Sequence, residues 1–174
     1  MNKYLCLIIV ILFGLTACKL FKTRYEEIPP DFPTTITKLG DIDPQLRVRS
    51  LDSIEHTIGD FHGKKLFINI WATWCGPCRA ELPHLQSLYD SLRSDTTIAF
   101  LFISDEPDTT VRSFISRSTY VLPIYVCDKS KPEILDTGVY PSTFISNERG
   151  EIVYITTRSA QWSHRSVIDF LRKL

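Results

Sequence analysis

The near-continuous apolar run Leu66-Phe67-Ile68-Asn69-Ile70-Trp71 leads through Ala72-Thr73 into Trp74-Cys75-Gly76-Pro77-Cys78, and a helical pattern follows at once. The run is short and rich in aromatic and β-branched residues, and Lys64-Lys65 bounds it, which suits a strand buried on both faces. From Pro77 to Leu92 the apolar residues Leu82, Leu85, Leu88, Tyr89 and Leu92 recur at helical spacing. Two cysteines two residues apart are therefore placed where a buried strand turns into an amphipathic helix. Pro77 suits the first helical turn, where its missing N–H is no loss.

That position has chemical consequences. Unpaired N–H groups and the macrodipole at a helix start favour negative charge, and the thiolate is the reactive form of cysteine. Cys75 is expected to be exposed, with a lowered pKa, and Cys78 to lie within sulfur contact on the same turn. It can then resolve a mixed disulfide formed by Cys75. Zinc needs about four ligands, and His56, His62, His84 and His164 are scattered without ligand spacing. An inert bridge is the other alternative, but so tight a pair closes almost no loop and adds little stability. Thiol–disulfide exchange is the favoured reading, with no metal and no bound cofactor.

Elsewhere the chain alternates strand and helix signals. A small hairpin is expected over Val48–Ser50 and Glu55–Ile58. Further strands are expected at Ile98–Ile103, Pro123–Cys127, Ser142–Ile145 and Ile152–Thr156, the last after a turn at Asn147–Gly150. Asp108 is placed to cap a helix over Val111, Phe114 and Ile115, and Ser163 to cap a final helix ending at Leu174. The expected architecture is α/β: a central mixed sheet flanked by helices, with the hairpin as an N-terminal extension.

The first residues point to export. Lys3, the apolar stretch Leu5–Phe13 and the small residues before Cys18 form a signal-peptide pattern, far short of the ~20 residues that span a bilayer. Leu15-Thr16-Ala17-Cys18 resembles the bacterial lipobox, which implies lipid on Cys18 after removal of residues 1–17. Residues 18–43, with Pro29-Pro30 and Pro33, are expected to form a flexible spacer, and residues 44–174 the domain. Several acyl chains would hold the protein firmly, since one alone binds marginally. Lys19 in place of an Asp favours, by a family rule, the outer over the inner membrane. Lysine plus arginine and aspartate plus glutamate are 20 each, so no basic surplus points to nucleic acid. Of five cysteines, Cys6 falls in the signal and Cys127 stands alone, expected to be a buried inert thiol.

The stretch Asn69 to Pro83, with Trp74-Cys75-Gly76-Pro77-Cys78 at its centre, resembles the thioredoxin superfamily. Within it the chain looks like the TlpA/ResA-like branch of membrane-tethered thiol–disulfide oxidoreductases, over about Val48 to Leu174. The resemblance implies an extracytoplasmic reductase of exported-protein disulfides, monomeric, facing the periplasm and supplied by a membrane electron donor. Gly76-Pro77 matches the reducing members. Gly138-Val139-Tyr140-Pro141-Ser142-Thr143-Phe144-Ile145 matches a second signature, in which Pro141 is cis and faces the cysteines. An arbitrary X–Pro bond would be trans. Tyr140, Trp74, Gly76 and Pro77 would then border the substrate groove, whereas Trp71 ends a buried strand and belongs to the core.

Glu81 follows Cys78 by three residues on one helix face. By the resemblance, Asn69 replaces the buried Asp of cytoplasmic thioredoxins, and Glu81 moves a proton to or from the Cys78 sulfur. A plain macrodipole effect is the alternative. Pro83 should kink the helix. Two other functions remain open. A thiol peroxidase would need more than Thr73 before its cysteine. A copper-binding assembly chaperone would pair wider-spaced cysteines with a distant His, for which His164 is the late candidate.

Overall fold

The computed structural model describes residues 28–127 and 136–174; the signal-like segment, Cys6 and Cys18 lie outside the described residues. Eight strands form one mixed sheet: β1 Gly40–Asp41, β2 Arg47–Ser50, β3 Glu55–Thr57, β4 Lys65–Ile70, β5 Ile98–Ser104, β6 Ile124–Val126, β7 Ser142–Ser146 and β8 Glu151–Thr156. Their order is β1-β8-β7-β4-β5-β6-β2-β3. β4 and β5 run parallel, as do β5 and β6, while β4–β7 and β7–β8 are antiparallel. The described α-helices are α1 Gly76–Leu92, α2 Asp108–Ile115 and α3 Arg165–Lys173, and a 3-10 turn spans Ile58–Phe61.

The apolar run at 66–71 behaves as its composition dictates. All six residues of β4 are buried, because the strand lies centrally with a neighbour on each side. One sheet face, carrying Phe67, Phe100 and Phe102, packs against α1 through Leu82, Leu85 and Leu88 and against α3 through Val167 and Leu171. Each such fully buried side chain is worth roughly 1.5–3 kcal/mol. On the opposite face Ile68, Ile70, Leu101 and Phe144 are covered in part by Ile42, Leu46 and Ile58. Gly150, at φ +77°, closes the β7–β8 turn in a conformation that side chains rarely adopt.

Several local expectations shift. α2 starts after Pro107, not on an Asp108 cap; Asp108 lies inside the first turn and binds Arg112 and Arg49. α3 is capped by His164, whose ring accepts from Ser166 N, because Ser163 Oγ is engaged with His84 Nδ1 at 2.8 Å. Pro83 lies inside α1, as expected. Cys127 is intermediate in exposure rather than buried.

The larger correction concerns residues 28–43 of the expected flexible spacer, residues 18–27 of which lie outside the described residues. Phe32 stacks on Phe170 with centroids 4.0 Å apart, Ile42 is buried, and β1 pairs with β8. Proline makes this segment extended, as its composition requires, but Phe32, Ile42 and the backbone N–H groups of Leu39 and Ile42 find partners on the domain, while Ile28, Ile36 and Leu39 keep exposed side chains.

Candidate active site

Cys75 is the N-cap of α1, with Gly76 and Pro77 as the first helical residues. Its sulfur accepts a hydrogen bond from Cys78 N at 3.2 Å, so it takes the place that a Ser or Asp oxygen has in an ordinary cap. Cys75 and Cys78 are joined as a disulfide, their Cα atoms 5.3 Å apart. Cys78 is 0% exposed and Cys75 4%. The nucleophile expected to be exposed is thus nearly covered in this oxidised state, because its sulfur is bonded inward to Cys78. Gly76 beside it is exposed.

The two tryptophans separate as their positions require. Trp71, at the strand's end, is 1% exposed, and Trp74, on the loop, is 68% exposed. Trp74 meets Tyr140 edge-on at 5.5 Å. Tyr140–Pro141 is a cis peptide, and Ser142 next to it pairs with Ile70 at the end of β4. The sheet register therefore brings the Tyr140-Pro141 loop alongside the cysteine loop.

Below the disulfide lies Glu81, 0% exposed. It accepts from Asn69 Nδ2 at 2.9 Å, Trp162 Nε1 at 2.8 Å and Ala160 N at 3.3 Å. Asn69 is held in turn by Thr143 Oγ1 at 2.9 Å, its partner across β4–β7. A surface acid tuning the macrodipole is not what this is: the carboxyl is enclosed, and such a group needs satisfied oxygens to be buried at all. Among the described residues, Asn69 Oδ1 and Trp71 Nε1 are buried with no protein hydrogen-bond partner.

Residues that the sequence reading passed over hold the rim. Glu106 accepts from Thr73 N at 2.6 Å and from Thr73 Oγ1 at 2.8 Å. Asp105 accepts from Tyr140 Oη at 2.6 Å. Two consecutive acids after β5 thus fasten both the loop before Cys75 and the loop before Pro141. Their signal was positional: they follow the carboxyl end of a parallel strand, where α/β sheets place their sites. Among the described residues no group of three His, Cys, Asp or Glu side chains is arranged to hold a metal.

Comparison with known proteins agrees with this geometry. The Redoxin family model matches residues 36–169. The thiol-disulfide oxidoreductase ResA of Geobacillus kaustophilus is 30% identical over 125 residues, 71% of each chain. The thioredoxin-like protein YneN of Bacillus subtilis is 28% identical over 155 residues, 87% of this chain and 88% of its own. A putative thiol-disulfide oxidoreductase from Bacteroides vulgatus shares the fold, with TM-score 0.67 at 21% identity, covering 81% of this chain and 99% of that one. The chain belongs to the Redoxin family, and within the thioredoxin superfamily it is a TlpA/ResA-like thiol–disulfide oxidoreductase.

Proposed function

We propose that the protein reduces disulfides of exported proteins outside the cytoplasm, tethered to the cell envelope by lipid on Cys18. The observation that carries this reading is the Cys75 sulfur at the N-cap of α1, bonded to Cys78 N, with the enclosed Glu81 three residues beyond Cys78. In the reduced state the Cys75 thiolate, favoured by the helix start, attacks one sulfur of a substrate disulfide. A mixed disulfide forms and the other substrate sulfur leaves as a thiolate. Cys78 then attacks the Cys75 sulfur, restoring the Cys75–Cys78 bond and releasing the second substrate thiolate.

Two electrons pass to the substrate, and a dithiol donor at the membrane returns them. For the second attack Cys78 must lose its proton, and Glu81 is the group we assign to take it. Trp74, Gly76, Pro77, Tyr140 and cis-Pro141 form the lip against which substrate backbone rests. The reducing direction rests on the Gly76-Pro77 pair and on family likeness.

The test is trapping with a Cys78→Ala variant in an envelope extract, together with the reduction potential of the pair. Mixed disulfides on Cys75 with exported proteins, and a potential near the roughly −270 mV of thioredoxin, are expected. A potential above about −150 mV would make the protein an oxidant instead.

A further inference from the structure

Two of the donors to Glu81, Ala160 N and Trp162 Nε1, come from a single loop between β8 and α3. Gln161 stands between them, and its N–H donates the other way, to Ile28 O at 3.1 Å. The Ile28 side chain is 75% exposed, and the described hold of this residue on the loop is through its carbonyl. Pro29 and Pro30 follow, and their rings fix φ near about −65°, which makes the segment a stiff extended arm. Phe32 ends the arm, stacked on Phe170 of α3 at 4.0 Å and tilted against Tyr154 of β8 at 4.8 Å. The arm thus grips the two elements that the loop joins and, through Ile28, the middle of the loop itself.

We infer that residues 28–32 are a positioning strap for Glu81: Phe32 anchors a rigid arm whose Ile28 carbonyl holds the Ala160–Trp162 donors against the buried carboxyl. The strap tunes proton exchange with Cys78 without touching the sulfurs. Cys78 and His84 flank Glu81 on α1, the latter bonded to Ser163. The hydrogen bonds described to Glu81 from β4 and from the loop come from the neutral Asn69, Ala160 and Trp162, and Thr143 of β7 holds Asn69 in turn. The inference rests on Glu81 as the proton acceptor proposed above.

The experiment measures the pH dependence of alkylation at the reduced cysteines, resolved by mass spectrometry, in the full-length protein. Glu81→Gln displaces the profile. Phe32→Ala displaces it in the same direction by less, about 2-fold in rate at fixed pH, and Phe32→Tyr, which keeps the stacking ring, restores it. A Phe32→Ala profile that overlays wild type while Glu81→Gln is displaced overturns the strap alone. A Glu81→Gln profile that overlays wild type overturns the proton role and the strap with it. Amide exchange at Gln161 gives a second readout on folded protein: protection lost in Phe32→Ala supports the strap, and unchanged protection refutes it.

Discussion

The rim and the floor of this site are built by opposite means. At the rim, Trp74 is 68% exposed, and its neighbours are held by carboxylates, Asp105 on Tyr140 and Glu106 on Thr73, in part-buried bonds. At the floor, Glu81, Asn69 and Trp162 are each 0% exposed and bonded to one another. Solvent can replace a lost bond at the rim; at the floor nothing can, and an abandoned polar group is costly. On the proposed reading, a lip that meets substrate is thereby separated from an enclosed carboxyl whose geometry is fixed by its neighbours.

The contrast is broken most severely at the two tryptophans. Trp162→Ala empties a buried site against Phe67, which it meets edge-on at 5.1 Å, and removes a donor to Glu81. About 3–5 kcal/mol of unfolding free energy should vanish in urea titration. Trp74→Ala should leave stability within about 0.5 kcal/mol and slow the reduction of a protein disulfide far more than that of a small disulfide. Equal losses of stability in both variants would erase the distinction.

Glu106→Ala sharpens it at intermediate scale. Thr73 loses two bonds at a part-buried position, so the expected stability loss is about 1 kcal/mol, read by thermal denaturation. Exchange with protein substrates should slow, while the pH profile of cysteine alkylation keeps its shape because Glu81 is untouched. A displaced profile would mean that rim and floor are coupled.

The smallest effect lies away from the site. The hydrogen bond from Arg112, followed by the charges of Arg112 and Arg49, holds the Asp108 carboxyl below the ordinary carboxylate range. A group with a depressed folded pKa stabilises above its unfolded value, and that contribution fades as pH falls through the folded one. Asp108→Asn should therefore lower Tm slightly near neutrality, and the gap to wild type should close as pH is taken below about 4. A gap that persists under acid conditions would place the effect elsewhere.

What could be read from the chain beforehand was local. The strand at 65–70, the helix opening at Cys75 and the different fates of Trp71 and Trp74 follow from periodicity and from neighbours in sequence. Helix starts were misplaced by about a residue at Asp108 and Ser163, since several polar residues compete for a cap and tertiary partners decide. The donors from Ala160 and Trp162 and the clamps by Asp105 and Glu106 join residues tens of positions apart, and no local pattern encodes them. The packing of Phe32 was hidden in a proline-rich stretch, where composition predicts extension correctly and says nothing of what the extended chain lies against.

The first strands have a consequence beyond the site. β1 closes one border of the sheet by pairing with β8, and the β2–β3 hairpin closes the other by pairing with β6. The outermost strands are then only two and three residues long, too short to template a neighbour's backbone. Among the described residues no long free strand is left on which another chain could grow, so on the proposed reading a partner polypeptide is steered to the sulfurs and away from the sheet.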